Sequence, residues 1–256
     1  MFLKPSKGQL KFLAGLDQAK IRRREGFFLA EGTKVVQEAL RSAWQIESVL
    51  IREAKAKNLG GLLPAMEGKK VFALSDPEWK RISQDKESEG VAALMVLPAF
   101  RSCREDVPEG GSRLLLLYQV GNPANLGAIL RSAHWFGIET VLLSEGSVDF
   151  VHPKVIRTSM GSLFHLRILD GLDFRSLLPR LKERYALVGT TVRGGVPPHP
   201  VEKPSAVLLG SESHGLPEFL LDRMDENWCI PRRGDAESLS LPQAAAILLY
   251  EWTKME

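Results

Sequence analysis

From Leu114 to its end the chain repeats one rhythm: a short apolar run, a loop, then a stretch patterned for a helix. The runs are Leu114–Val120, Thr140–Ser144, Leu166–Leu169, Ala186–Thr190, Ser205–Leu209 and Asn227–Ile230. Most lack the apolar–polar alternation of a half-exposed strand, so they read as strands buried on both faces. The helical stretches are Ala124–Phe136, His152–Ser159, Phe174–Glu183, Pro217–Leu221 and the apolar Leu239–Trp252. Strands and helices in this alternation predict an α/β domain whose parallel sheet is covered on both sides.

The first hundred residues carry a smaller α/β pattern. Strands are expected at Phe27–Ala30, Ile46–Ile51, Val71–Leu74 and Val91–Leu97, with a helix over Thr33–Ser42 and mostly helical chain from Arg52 to Met66. Ser75 followed by Asp76-Pro77 has the form of an N-cap and opens a short helix. Residues 98–112, with two prolines, a Gly-Gly pair and no periodicity, read as a linker. The expected division is therefore 1–97, linker 98–112, and 113–256.

Charge separates the two halves. Residues 1–100 hold 17 Lys+Arg against 12 Asp+Glu, and residues 101–256 hold 17 against 19. The first 24 residues contain Lys4, Lys7, Lys11, Lys20, Arg22, Arg23 and Arg24 against Asp17 alone. Such an end suits a polyanion, whose counterions are released on contact, and equally suits a solvated surface. No apolar run approaches the ~20 residues of a membrane span, and the basic N-terminus lacks the apolar core of a secretory signal. Cys103 and Cys229 are far apart and read as free thiols of a reducing cytoplasm. His134, His152, His165, His199 and His214 have no metal-ligand spacing, so no metal is expected.

Three loops after strands have ligand-binding chemistry, and in open α/β sheets the strand carboxyl ends are where ligands bind. The first is Gly121-Asn122-Pro123-Ala124-Asn125-Leu126-Gly127, in which Asn122 or Asn125 can cap the following helix. Arg131 lies six residues beyond Asn125 on that otherwise apolar helix, where a surface salt bridge is the alternative to a ligand contact. The second, Gly210-Ser211-Glu212-Ser213-His214-Gly215, brackets a carboxylate with glycines that admit close backbone approach. The third runs from Ile230 to Leu241; Arg232 and Arg233 can hold phosphate, and Glu237-Ser238 can cap the last helix.

In order and spacing, YQVGNPANLGAILRSAHWFG, LLGSESHGLP and CIPRRGDAESLSLPQAAAILLYEW resemble the three motifs of the SpoU (TrmH) family of SPOUT methyltransferases. The resemblance spans about Leu114 to Glu251. It implies a parallel sheet with a deep C-terminal trefoil knot, a rare exception to unknotted chains. It also implies transfer of a methyl group from S-adenosylmethionine (SAM) to a ribose 2′-hydroxyl of RNA. FLAEGTKVVQEALRSAWQIESVLI is similar to the start of the family's ribosomal-protein-like RNA-binding domain.

Carried over by motif, the catalytic positions are Asn125, Arg131, Glu212, Ser238 and Ser240, and the cofactor positions are Thr190, Gly210, Ile230, Ser238 and Leu239. The family's arginine assists deprotonation of the hydroxyl. Because a free guanidinium stays protonated far above neutrality, Arg131 is better suited to position the hydroxyl and stabilise the developing alkoxide. Asn125 and Glu212 are expected to shape the pocket and hold Arg131. The usual Ser-Leu-Asn-Val-Ser of the third motif is here Ser238-Leu239-Ser240-Leu241-Pro242, which replaces an amide by a shorter hydroxyl.

The last helix is apolar almost all round and must be buried; in this family it packs on a second subunit. A homodimer follows as the expectation; whether the site lies within one chain or is shared across the dimer is left open by the sequence. The basic N-terminal domain favours ribosomal RNA over tRNA as substrate. A knotted RNA-binding protein without turnover is the competing class.

Overall fold

The computed structural model describes residues 2–85, 87–98 and 111–254. Most of the expected linker, residues 99–110 with Cys103, lies outside them. The chain divides into two compact units, Met1–Ala99 with Val151–Phe164, and Phe100–Phe150 with His165–Glu256. The segment 151–164, which the sequence pattern assigns to the second domain, thus groups with the first.

The first unit begins with two helices, α1 (Lys7–Gly15) and α2 (Ala19–Glu25), which the periodicity did not announce. For α1 the legible signal is Ser6-x-x-Gln9: the Ser6 N–H donates to Gln9 Oε1 at 2.8 Å and the Gln9 N–H to Ser6 Oγ at 3.2 Å. That reciprocal pair is a capping box. Strand β1 (Phe27–Glu31), α3 (Thr33–Arg41), β2 (Ile46–Arg52), β3 (Val71–Leu74), α4 (Asp76–Ile82) and β4 (Val91–Val96) follow. The sheet order is β1-β4-β2-β3, antiparallel except for β2 with β3. Ser75 caps α4, its N–H and hydroxyl both bonded to Glu78 Oε2. The expected helix from Arg52 to Met66 is instead two 3-10 segments, Glu53–Leu59 and Leu63–Met66, because Gly60 and Gly61 interrupt it.

One face of this sheet is sealed by α1 and α4, whose Leu10, Leu13, Trp79 and Ile82 cluster with Leu29, Leu50, Leu74 and Leu94. On β1, α6 (Pro153–Ser159) packs as a borrowed helix. Arg157 pairs with Asp85 at 2.8 Å, and Phe164 meets Trp44 edge-on at 5.4 Å. Gly161 closes the segment at φ +85°, where an added Cβ would lie 2.6 Å from Glu38 Cβ. Gly161→Ala therefore meets both the left-handed backbone penalty and steric overlap, an expected cost of about 2–4 kcal/mol. Gly26→Ala, at φ +73° with open space around it, isolates the backbone term and is expected to cost about 1–2 kcal/mol. Chemical denaturation of the two variants checks the difference.

The second unit contains β5 (Arg113–Leu117), α5 (Pro123–Trp135), β6 (Thr140–Ser144), β7 (Arg167–Leu172) and α7 (Phe174–Lys182). It continues with β8 (Ala186–Thr190), β9 (Ser205–Leu209), α8 (Glu218–Leu221), β10 (Glu226–Trp228) and α9 (Leu241–Thr253). The sheet is parallel throughout, in the order β10-β8-β9-β5-β6-β7. Leu114, Leu116, Leu142, Ala206 and Leu208 pack under Phe174, Leu177, Leu178, Leu181 and Leu220 of α7 and α8. By the strand period of two, Leu115, Leu117, Val141, Val207 and Leu209 face the other way, the side on which α5 and α9 lie against each other.

The last helix starts two residues later than its apolar pattern suggested, and its N-cap is Ser240, not Glu237-Ser238. Pro242 sits in its first turn, where no intrahelical N–H is needed. Ala245, Leu248, Leu249 and Trp252 are buried, and the Trp252 indole N–H donates to Ser205 Oγ at 2.9 Å. That bond ties the end of α9 to the start of β9. Among the described residues no helix is long and apolar enough to cross a membrane, and no three His, Cys, Asp or Glu side chains are grouped to hold a metal.

Candidate active site

Parallel strands in register bring their carboxyl ends to one edge, and the register decides which loops meet there. Leu117 is level with Leu209, Gly189 with Leu208, and Thr190 with Trp228. The loops after β5, β9, β8 and β10 are therefore neighbours along that edge. All three expected ligand loops are among them.

The loop after β5 turns sharply. Gln119 adopts φ +50°, uncommon for a residue with a side chain, and its N–H donates to Ser144 Oγ at 2.8 Å. This ends β5 at Leu117 rather than at Val120, and neither residue carried a sequence signal for the role. Such strain, of order 1–3 kcal/mol, persists where the surroundings hold it. Asn122 is the cap of α5, accepting the Ala124 N–H at 2.9 Å. Asn125 is thereby free for another partner. Its Nδ2 donates to Glu212 Oε1 at 3.0 Å, and the N–H groups of Asn122 and Gly121 approach the same carboxylate at 3.3 and 3.4 Å. A carboxylate at the N-terminus of a 13-residue helix also suits the helix dipole. Glu212 thus staples the loop after β9 to the loop after β5.

Glu212 is presented by a tight turn. Ser211 and Gly215 exchange backbone bonds at 3.1 and 3.0 Å, and the His214 N–H donates to Ser211 Oγ at 3.3 Å. Gly210 is buried beneath this turn; a Cβ there would stand 2.1 Å from the Gly215 carbonyl carbon. The cradle exists only because position 210 has no side chain.

On the neighbouring strand the Thr190 hydroxyl donates to Leu208 O at 3.0 Å. The chain beyond it folds back along β10: the Thr191 N–H donates to Trp228 O, the Val196 N–H to Asn227 O, and the Cys229 N–H to Val196 O. Gly195, at φ +99°, admits this approach, since a Cβ there would meet Asn227 O at 2.3 Å. Ile230 leaves β10 half-buried at the same edge, whereas Ser238, Leu239 and Ser240 are exposed. The Ser240 N–H and hydroxyl both donate to Gln243 Oε1, at 3.3 and 3.0 Å. In the same loop, Arg232 reaches Ala236 O at 3.3 Å.

A histidine outside the expected set holds the returning loop. His199 Nε2 lies 3.1 Å from both Glu226 oxygens, and Nδ1 lies 2.9 Å from Pro200 O. Both ring nitrogens face acceptors, so the bond to Pro200 O and then that to Glu226 raise its pKa above the ordinary 6.5. A raised folded pKa stabilises fully below the unfolded value and the gain disappears as pH climbs through the folded value. The melting-temperature difference between wild type and His199→Gln is therefore expected to be largest below pH ~6.5 and to close above it. A difference that grows with pH would contradict the charged clamp.

Arg131 is exposed and has no hydrogen bond or ion pair among the described residues. Six residues on an α-helix are 600° of rotation, so Arg131 and Asn125 diverge by about 120° and about 9 Å along the axis. Within one chain, then, Asn125 meets Glu212 but neither holds Arg131. The salt bridge that was the alternative for Arg131 is also not formed there. Arg131 shares its face with Trp135, which is 83% exposed one turn later. Beyond them Phe136 meets Tyr250 of α9 edge-on at 6.2 Å.

Comparison with known proteins identifies the family. The SpoU rRNA Methylase family matches residues 112–250, and the MRM3-like substrate binding domain matches residues 7–93. The 23S rRNA (guanosine(2553)-2′-O)-methyltransferase RlmP of Bacillus subtilis is 29% identical over 92% of each chain. A solved RNA 2′-O ribose methyltransferase superposes with TM-score 0.82 at 29% identity, covering 98% of this chain and 97% of the other. An AdoMet-bound rRNA methyltransferase from Sinorhizobium meliloti gives TM-score 0.79 at 25% identity over 98% and 96%. With its three loops at one sheet edge and the family pattern running through all of them, the chain belongs to the SpoU rRNA methylase family.

Proposed function

We propose that the carboxyl edge of the second unit binds SAM and that Arg131 presents a ribose hydroxyl of large-subunit ribosomal RNA to it. As a family member the chain is an RNA 2′-O-methyltransferase with SAM as its cofactor. The observation that carries the site assignment is the convergence of Thr190, Gly210 and Ile230 at the ends of adjacent strands, where the bare Gly210 lets the Gly215 backbone close down and fix the turn. A cradle of backbone and apolar side chains fits SAM, which supplies an electrophilic sulfonium methyl.

The chain's own residues do the rest. A ribose hydroxyl is a weak nucleophile, so positioning it is worth several kcal/mol of barrier. Glu212 orients the Asn125 amide by taking its N–H, leaving Asn125 Oδ1 to accept from a ligand. The Arg131 guanidinium would stabilise the developing alkoxide while the hydroxyl proton passes to solvent water at this exposed face. Ser240, already capping α9, contributes at most one acceptor.

The homodimer is part of the same proposal. Trp135, Ile247 and Tyr250 are exposed on α5 and α9, an apolar face that water does not favour. Arg131 borders it, so a second copy packed there brings Arg131 of one chain toward the loops of the other. We also read the path of the chain as the family's trefoil knot. β10 is at the sheet's edge, yet α9 returns past β8 to pack on α5 and bond Ser205.

Ribosomal RNA from cells lacking the gene, incubated with protein and methyl-labelled SAM, tests the function. The expected product is one alkali-resistant, 2′-O-methylated dinucleotide in large-subunit RNA. Label on a base, on tRNA alone, or on no RNA would overturn the assignment.

A further inference from the structure

The cations of the first unit are of two kinds. Lys34, Arg41, Arg52, Lys70 and Arg157 each pair with a carboxylate. Lys7 and Lys11 of α1, with Lys20 and Arg23 of α2, are exposed and have no carboxylate partner among the described residues. Lys7 and Lys11 are one turn apart on one helix face, and so are Lys20 and Arg23.

What sets these four apart from a basic tail is the corner that carries them. Arg22 is 1% exposed, and its Nη1 donates to Leu16 O at 2.9 Å and Asp17 O at 2.7 Å. The two carbonyls belong to the link between α1 and α2, so a buried guanidinium fixes that link. Leu10, Leu13 and Leu16 anchor the corner in the core below. Four cations are thus held on a preorganised surface, which lowers the entropy lost when a ligand binds.

We propose that the α1–α2 corner is a docking surface for the phosphate backbone of folded RNA. Lys7, Lys11, Lys20 and Arg23 make the phosphate contacts, and Arg22 is the positioning residue that shapes the corner. The exposed face between the cations carries Gly8, Gln9, Asp17, Gln18 and Ala19, without the large apolar side chain a membrane anchor or a protein hot spot needs. Contacts of this kind set affinity and register and do not read sequence. The inference rests on RNA being the substrate and assigns a surface of the first unit that grips its backbone.

The test uses the full chain and a transcript of large-subunit ribosomal RNA, with affinity measured across a range of KCl concentrations. One variant carries Lys7→Gln, Lys11→Gln, Lys20→Gln and Arg23→Gln. A charge-matched control carries Lys57→Gln, Lys69→Gln, Lys80→Gln and Arg81→Gln, also exposed cations of this unit. Each lost phosphate contact lowers the slope of log affinity against log salt by roughly 0.7–0.9. The corner variant is expected to lose about 3 units of slope, and the control less than about 1. KM for RNA should rise in the corner variant, while kcat at saturating RNA and SAM affinity stay unchanged. Equal slopes for both variants, or no change in the corner variant, overturn the proposal. Wild-type protein without salt-dependent binding to the transcript overturns instead the reading of RNA as substrate.

Discussion

Gly210→Ala is expected to abolish SAM binding in a protein that remains folded. The added methyl would lie 2.1 Å from the Gly215 carbonyl carbon and 2.4 Å from both its oxygen and the Leu216 nitrogen. None of these is the movable end of a side chain. Relief requires the turn Ser211–Gly215 to lift as a body, because its two ends are bonded to each other at 3.1 and 3.0 Å. Glu212 rides on that turn and would leave Asn125 and the N-terminus of α5. Overpacking of this kind costs about 1–3 kcal/mol, within what a domain of this size tolerates. The loss of cofactor affinity should be larger, about 100-fold or more, since ~2.7 kcal/mol is a hundredfold. Gly215→Ala separates the two effects: its φ of +64° is strained, yet its Cβ meets nothing within 4 Å. Calorimetric titration with SAM compares them. A dissociation constant for Gly210→Ala within threefold of wild type would remove Gly210 from the cofactor cradle.

The contrast between legible and illegible parts has a physical basis. Strands buried on both faces need continuous apolar runs, so β6, β8 and β9 begin and end where those runs do. Caps and turns were legible when their chemistry is local, as at Ser75 and Gly210. The segment 151–164 was not, because the 3.6-residue period of α6 records that one face is buried and not which sheet buries it. Nor was Gln119, whose left-handed backbone is imposed by Ser144 from a different strand. The pairing of Asn125 with Glu212, 87 residues apart, depends on β5 lying beside β9. The resemblance implies that Asn125 holds Arg131, and helical geometry within one chain separates the two.

That separation makes Arg131→Ala the most informative substitution in the protein. Arg131 is exposed and makes no ion pair among the described residues, so its removal should change stability by no more than about 0.5 kcal/mol. SAM affinity should also stay unchanged, because Thr190, Gly210 and Ile230 are on other elements. Methyl transfer should fall by about 10²–10³-fold, the usual cost of losing one group aimed at developing negative charge. Arg131→Lys keeps the charge but not the planar fork of donors, and should recover only part of the rate. If a second copy supplies Arg131 to the loops of its partner, two inactive variants repair each other. A mixed dimer of Arg131→Ala with Gly210→Ala contains one site with both defects and one with neither. Random pairing makes half the dimers mixed, so co-expression should restore about a quarter of wild-type activity. Were Arg131 to serve the loops of its own chain, every site in the mixture would carry one defect and activity would stay at the level of the single variants.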